Sequence, residues 1–193
     1  VTIDSCNYPG GIDSVSIRGG EFSSTHANAI GSYNSNSGSL QTNFVTGGTF
    51  SSNPSAYVPE GYEATKSETE EIWTVGEGST PLVAEINGVK YISLAKALAA
   101  AKNGDTVKLV QDITPTERIE VTGDKNITID LAEKKITSTA DVAIVNNGTG
   151  KLTITGNGTV DTSSSTNGED IAIWARNGSI DIENGTFINK SNK

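Results

Sequence analysis

Apolar side chains recur along this chain at every second position for a few residues, then stop at a glycine or an asparagine-glycine pair. In KLTITGNGTV, SIDIENGTF and SVSIRGGEF the alternation is strict: Leu152 and Ile154, Ile180 and Ile182, and Val15 and Ile17 fall on one side, with polar residues between them. A period of two marks strands buried on one face. Each segment then passes a glycine, one polar residue and a large apolar residue, which is Val160, Phe187 and Phe22 in turn. A fourth segment, NFVTGGTF, ends the same way on Phe50. Asn-Gly pairs at 147, 157, 177 and 184, with Gly19-Gly20 and Gly47-Gly48, supply residues that tolerate positive φ. Each unit therefore reads strand, bend, strand.

The units keep a period. Val160 to Phe187 is a step of 27, Phe22 to Phe50 is one of 28, and a weaker copy, NITIDLAEKKITS, places Ile136 a step of 24 before Val160. Repeats of this length with short strands and one inward apolar column predict the coil of a parallel β-solenoid, rising ~4.8 Å per coil. Like residues stack over like, so Val160, Phe187, Phe22 and Phe50 form one internal column. Reading on from Phe187 through Lys193, and from Val1 to Phe22, returns a step of 28 once more.

A different period occupies the middle. AEINGVKYISLAKALAAAKNGDTVKLV predicts a hairpin turning at Asn87-Gly88, then a helix with Ser93 as N-cap and Gly104 just past its end. Leu94, Ala97, Leu98 and Ala101 fall at i, i+3, i+4 and i+7, a narrow stripe suited to lying across the first coil of a solenoid. After Phe50, by contrast, Pro54, Pro59 and six glutamates interrupt any core strand. The expected order is late coils over 1–56, an acidic connector over 57–81, a hairpin and helix cap over 82–112, and early coils over 113–193. That order is a solenoid circularly rotated. It fits one period of a tandem array, a subunit docking end to start on the next, or a chain closed on itself; the array or filament is the preferred reading, because a heterologous contact with a small rotation propagates.

Composition narrows the core. Only 34% of residues are hydrophobic, with no Met, two Trp and four Phe, which suits a thin core of Val, Ile and Leu. A net charge of −9 disfavours nucleic acid and anionic membranes as partners. No apolar run approaches the roughly 18 residues that a membrane-spanning helix needs, so no membrane insertion is expected. Cys6 is the lone cysteine and reads as a small buried apolar residue, with no zinc cluster around it. No metal or cofactor is implied. His26, in the loop SSTHANAI, has no nucleophile or ligand spacing beside it and receives no role.

Candidate chemistry comes from aligning the coils. Thr155, Glu183, Arg18 and Thr46 share one outward column, and Thr153, Asp181, Ser16 and Phe44 another, so Asp181, Glu183 and Arg18 make the best polar patch. Two carboxylates can share acid and base work. These two sit two apart on one strand face, ~7 Å from each other, and a solvated surface is the reading they support, with Glu183 and Arg18 as a register-setting pair. Trp73, Trp174 and Phe44 are the contact aromatics. Aligning Val45 with Ile17 turns Phe44 outward and Asn43 inward, which predicts a bulge there or an exposed Phe44 used for contact.

GGTFSSNPSAYVPEGYEATKSETEEIWTV, together with EINGVKYISLAKALAAAKNGDTVKLVQDIT, resembles segments of large secreted surface proteins of gut bacteria that carry pectin-lyase-like right-handed β-helices. In that group the first passage closes a helix and the second starts one. The resemblance implies an all-β, right-handed parallel β-helix with one short capping helix. It also implies an extracellular or cell-surface location and a structural or adhesive role. Non-enzymatic stacking, with further copies or adjacent repeats as partners, is the expectation. A glycan-binding or glycan-cleaving β-helix, with Asp181, Glu183 and Arg18 as its patch, is the alternative.

Overall fold

A computed structural model describes residues 1–4, 12, 14–33, 41–166 and 170–189. Cys6 and Lys193, on which two expectations rest, lie outside the described residues. The chain divides into two compact units, Val1–Pro81 and Leu82–Lys193.

In the first unit, β1 (Thr2–Asp4) and β2 (Ile17–Phe22) belong to one coil, and β3 (Gly31–Tyr33) and β4 (Val45–Phe50) to the next. The coils stack in parallel, Thr2 against Gly31, Ile17 against Val45 and Phe22 against Phe50. The rings of Phe22 and Phe50 lie 5.0 Å apart and within 10° of parallel, so these two members of the expected column stack directly. Then β5 (Tyr62–Lys66) and β6 (Trp73–Glu77) form an antiparallel hairpin, and β6 lies antiparallel on β4.

That hairpin corrects the expectation of a strand-free connector. Ala64, Trp73 and Val75 pack on the core, Glu63 points to the opposite, solvent face, and Glu77, the register partner of Tyr62 on the core-side face, is exposed at the outer end of the hairpin. Lys66 and Glu71 pair at 2.9 Å across the hairpin tip.

Phe44 is a second correction. It is buried, with its ring 5.2 Å from Tyr57, because Asn43 turns at φ +57 and swings outward while Phe44 and Val45 both enter the core. The irregularity predicted in this segment falls just after Val45. Ile17 faces Val45 but Arg18 faces Gly47, so Thr46 is the extra residue and not the partner of Arg18.

The second unit opens with β7 (Ala84–Ile86) and β8 (Val89–Tyr91), an antiparallel pair turning through Asn87 and Gly88, both at positive φ. Helix α1 (Leu94–Ala100) follows, and the Ser93 hydroxyl accepts from the Lys96 N–H at 3.1 Å. Leu94, Ala97, Leu98 and Ala101 are all buried, and the helix packs against the strands that begin the stack.

Ten strands then run β9 (Thr106–Leu109), β10 (Ile119–Val121), β11 (Ile127–Asp130), β12 (Lys135–Thr137), β13 (Val142–Asn146), β14 (Lys151–Thr155), β15 (Thr159–Asp161), β16 (Ile171–Ala175), β17 (Ser179–Ile182) and β18 (Thr186–Ile188). They form three ladders, β9-β11-β14-β17, β10-β13-β16 and β12-β15-β18, every pair parallel. Antiparallel β7 closes the β9 end of the first ladder.

Both units are thus stacked parallel coils, a β-solenoid with one short helix. The interior columns are apolar: Ile129, Ile154 and Ile182 superpose, as do Ile136, Val160 and Phe187. Asn146 adds a polar tie. Buried at a corner, its amide donates to the carbonyls of Gly150 and Ser179, the latter on the next coil, at 3.0 Å each.

Candidate functional site

Stacked coils satisfy one another's backbone groups, so the chemistry of such a fold concentrates where stacking stops. In the second unit β16, β17 and β18 each end their ladder, so one whole coil is paired on a single side. Its inward column shows the effect directly. Ile129 and Ile154 have no exposure, while Ile182, next in the same column, is 47% exposed. Ile188, one residue past Phe187, is 38% exposed.

The first unit has a matching edge at its first coil. Val45 and Phe50 are buried, whereas their partners Ile17 and Phe22 are only half-buried. Val1, at 56%, and Tyr33, at 50%, complete the large apolar side chains that are exposed among the described residues. All four lie on the terminal coil of the second unit or on the two coils of the first.

Of the polar patch, Asp181 and Glu183 belong to the second unit and Arg18 to the first. Asp181 faces Thr153 in the ladder, and its carboxylate lies 3.5 Å from the Lys151 ammonium, with both side chains about half exposed. Glu183 is exposed, and its N–H donates to the Ile154 carbonyl at 2.9 Å. Arg18 is exposed on β2 of the other unit, where its Nε donates to the Ser16 hydroxyl at 3.1 Å. Asp181 and Glu183 thus form an open, solvated row, and Lys151 occupies one of the two carboxylates.

Trp174 is half-buried on the edge strand β16, in register with Val145, and the Arg176 guanidinium sits 5.7 Å above its ring. Trp73 is also half-buried. It pairs with Phe50 in the β4–β6 ladder and packs on the core of the first unit. Val160 is fully buried beneath the half-buried Phe187.

The strongest electrostatics lie along the flank, between coils. Arg118 forms a two-pronged pair with Asp141 of the following coil, and Lys135 pairs with Asp161 at 2.8 Å. The Lys135 ammonium, reinforced by the Ser163 hydroxyl and N–H, holds the Asp161 carboxyl down at about 2, and Arg118 lowers that of Asp141. In each pair the cation comes from the earlier coil and the carboxylate from the later, as with Lys151 and Asp181. Sequence reading missed these pairs. Each joins a cation to an acid one coil step further along the chain, and that spacing is the signal that locates them.

No group of three or more His, Cys, Asp or Glu among the described residues is placed to hold a metal, and no described helix is long and apolar enough to cross a membrane. His26 is exposed, its Nδ1 2.6 Å from the Thr25 hydroxyl.

The fold and its uncovered edges define the class, a parallel β-solenoid. Comparison with protein-family models, with curated protein sequences and with solved structures finds no match to this chain.

Proposed function

We propose that this chain is a non-enzymatic structural module, an extracellular solenoid of a bacterial surface that extends by stacking coil on coil, in an array or a filament, with further copies or adjacent repeats as its partners. The observation that carries the reading is the change down one column, from fully buried Ile154 to half-exposed Ile182. An inward side chain left open to water at the end of a ladder, beside a row of backbone groups bonded on one side only, is a surface suited to another coil. The resemblance to secreted β-helical surface proteins supports the location and the adhesive role.

Catalysis finds less support. The Asp181 and Glu183 carboxylates stand in solvent, and Lys151 engages the first. Light scattering across a concentration series, paired with electron microscopy, tests the proposal. Uniform-width fibres or a mass that rises with concentration are expected. A constant monomer mass, or cleavage of a pectic or mucin-type glycan that Asp181→Asn abolishes, overturns it.

A further inference from the structure

We infer that the strand covering the open edge at β17 and β18 is β2 of a second copy, added in parallel with Ile17 over Ile182 and Phe22 over Phe187. The inference rests on the stacking reading above and names its partner surface. Three independent features of the two edges converge on it.

The first is circumference. The sequence step between ladder partners in the second unit is 22 or 23 at its capped start, then 24 to 25, then 29, 28 and 27 at the last coil. In the first unit the corresponding steps are 29 between β1 and β3 and 28 at both ends of the β2–β4 pairing, with a local 29 where Arg18 faces Gly47. The coil widens along the second unit until it reaches the size that the first unit has throughout. Coils of equal size keep one overall register, as β2 and β4 do: the extra residue at Thr46 is made up again before Glu21 meets Thr49.

The second is the bend. The inward residues flanking it are 7 apart at Ile129 and Ile136, 6 at Ile154 and Val160, and 5 at Ile182 and Phe187; they are again 5 at Ile17 and Phe22 and at Val45 and Phe50. In these last three bends the glycine two residues before the phenylalanine has a positive φ: +122 at Gly185, +104 at Gly20 and +111 at Gly48. A Cβ at Gly185 or Gly20 would stand 3.4 Å from the ring that follows it, so ring and bend pack alike at both edges. Phe22 on Phe50 already shows how one such bend lies on another, and Phe187 on Phe22 repeats that geometry.

The third is direction. Antiparallel strands close the opposite ends of both stacks, β6 on β4 and β7 on β9. The second unit is left open at its last coil and the first unit at its first coil, which is the order in which a parallel solenoid continues. The two edges are different surfaces, so the contact is head to tail. In this register Glu183 faces Arg18, opposite charges that favour the alignment.

Disulfide trapping between two chains tests the inference. In a Cys6→Ser background, one chain carries Ile182→Cys and the other Ile17→Cys. Parallel partners have Cα atoms ~4.8 Å apart, within reach of a disulfide. Mild oxidation of the mixture is expected to link the two different chains at least ten-fold more than it links Ile182→Cys with Arg18→Cys, whose side chains face opposite sides of the sheet. Assembly by scattering without the 182–17 link, or with a 182–182 link, overturns the strand assignment and leaves stacking standing. A constant monomer mass without any link takes down both. A double-cysteine chain that closes on itself at monomer mass places the partner strand within one molecule and overturns the second-copy assignment.

Discussion

The coil over 142–161 and the coil over 171–189 carry the same pattern of inward and outward residues, yet only the first is sealed. Ile154 and Val160 are fully buried, whereas Ile182 and Phe187, one step up the same columns, meet water. Burial in this fold depends on the next coil as much as on the residue, so stability is a sum of neighbour terms. Each coil has a lower side that rests on its predecessor and an upper side that waits for its successor. The two coils differ a little in their bends, but what separates the burial of their inward columns is the upper side.

The largest effect expected is on a lower side. A Cβ at Gly150 would fall onto the Lys125 backbone carbonyl of the coil beneath, and one at Gly178 onto the Gly150 carbonyl. Neither neighbour can yield without parting the ladder. Gly150→Ala is expected to destabilise by about 4 kcal/mol or more. Gly178→Ala is expected to follow closely although Gly178 is exposed, since its φ of +56 adds strain. Urea unfolding measures both, and a mild Gly178→Ala would break the equivalence of the lower sides.

The upper sides are where the coils should part. Ile154→Ala removes a side chain enclosed by Ile129 and Ile182 and is expected to cost about 3 to 4 kcal/mol, whereas Ile182→Ala costs about 1 kcal/mol in a dilute, unassembled chain. The gap is expected to narrow as protein concentration rises and the edge is covered. Equal costs at the lowest concentration would mean that the edge is already closed.

Much of this was legible in the residues and some was not, for a physical reason. Strict alternation makes strand faces readable, so the pairs Val160 with Phe187, Phe22 with Phe50 and Ile17 with Val45 follow from spacing alone, as do the hairpin turn at Asn87 and the Ser93 cap. Phe44 escapes such a reading because one residue at positive φ, Asn43, resets the alternation, and no periodicity announces such a reset. The β5–β6 hairpin is hidden by its glutamates. Their charge weighs against a core strand, but Glu63 stands on the outer face and Glu77 at the open end of the inner one, while Ala64, Trp73 and Val75 carry the alternation onto the core. Asn146 reads as part of an Asn-Asn-Gly bend, and only the neighbouring coil gives its buried amide the Ser179 carbonyl.

Flank electrostatics extend the contrast to smaller energies. Asp161, held near 2 by Lys135 and Ser163, has a folded-state value below its usual 3.8. Its contribution is therefore fully present above about pH 5, declines as the pH falls through 3.8 and then about 2, and is gone near about pH 1. Lys135 is about half exposed, so solvent screening holds the loss on Asp161→Asn to about 1 kcal/mol. The difference between variant and parent is expected to shrink as the pH falls and to vanish only near about pH 1, below the folded-state value, measured by unfolding across the acid range. A difference that persists there would assign the effect to packing.

The smallest effect is expected at the same kind of pair one coil higher. Lys151 and Asp181 lie 3.5 Å apart with both side chains about half in water, so the pair gains little Coulomb energy and must order two mobile groups to gain it. Asp181→Asn should leave the midpoint of urea unfolding within about 0.5 kcal/mol of the parent in dilute solution. A covering coil changes the balance, because it removes water from one side of Asp181 and sets cationic Arg18 beside neighbouring Glu183. The same substitution should then weaken assembly measurably while leaving the isolated chain unmoved. A large loss of stability in the dilute chain would show that the outer row of β17 already holds the fold, and the distinction between an occupied lower side and a waiting upper side would fail at the residue where it is easiest to test.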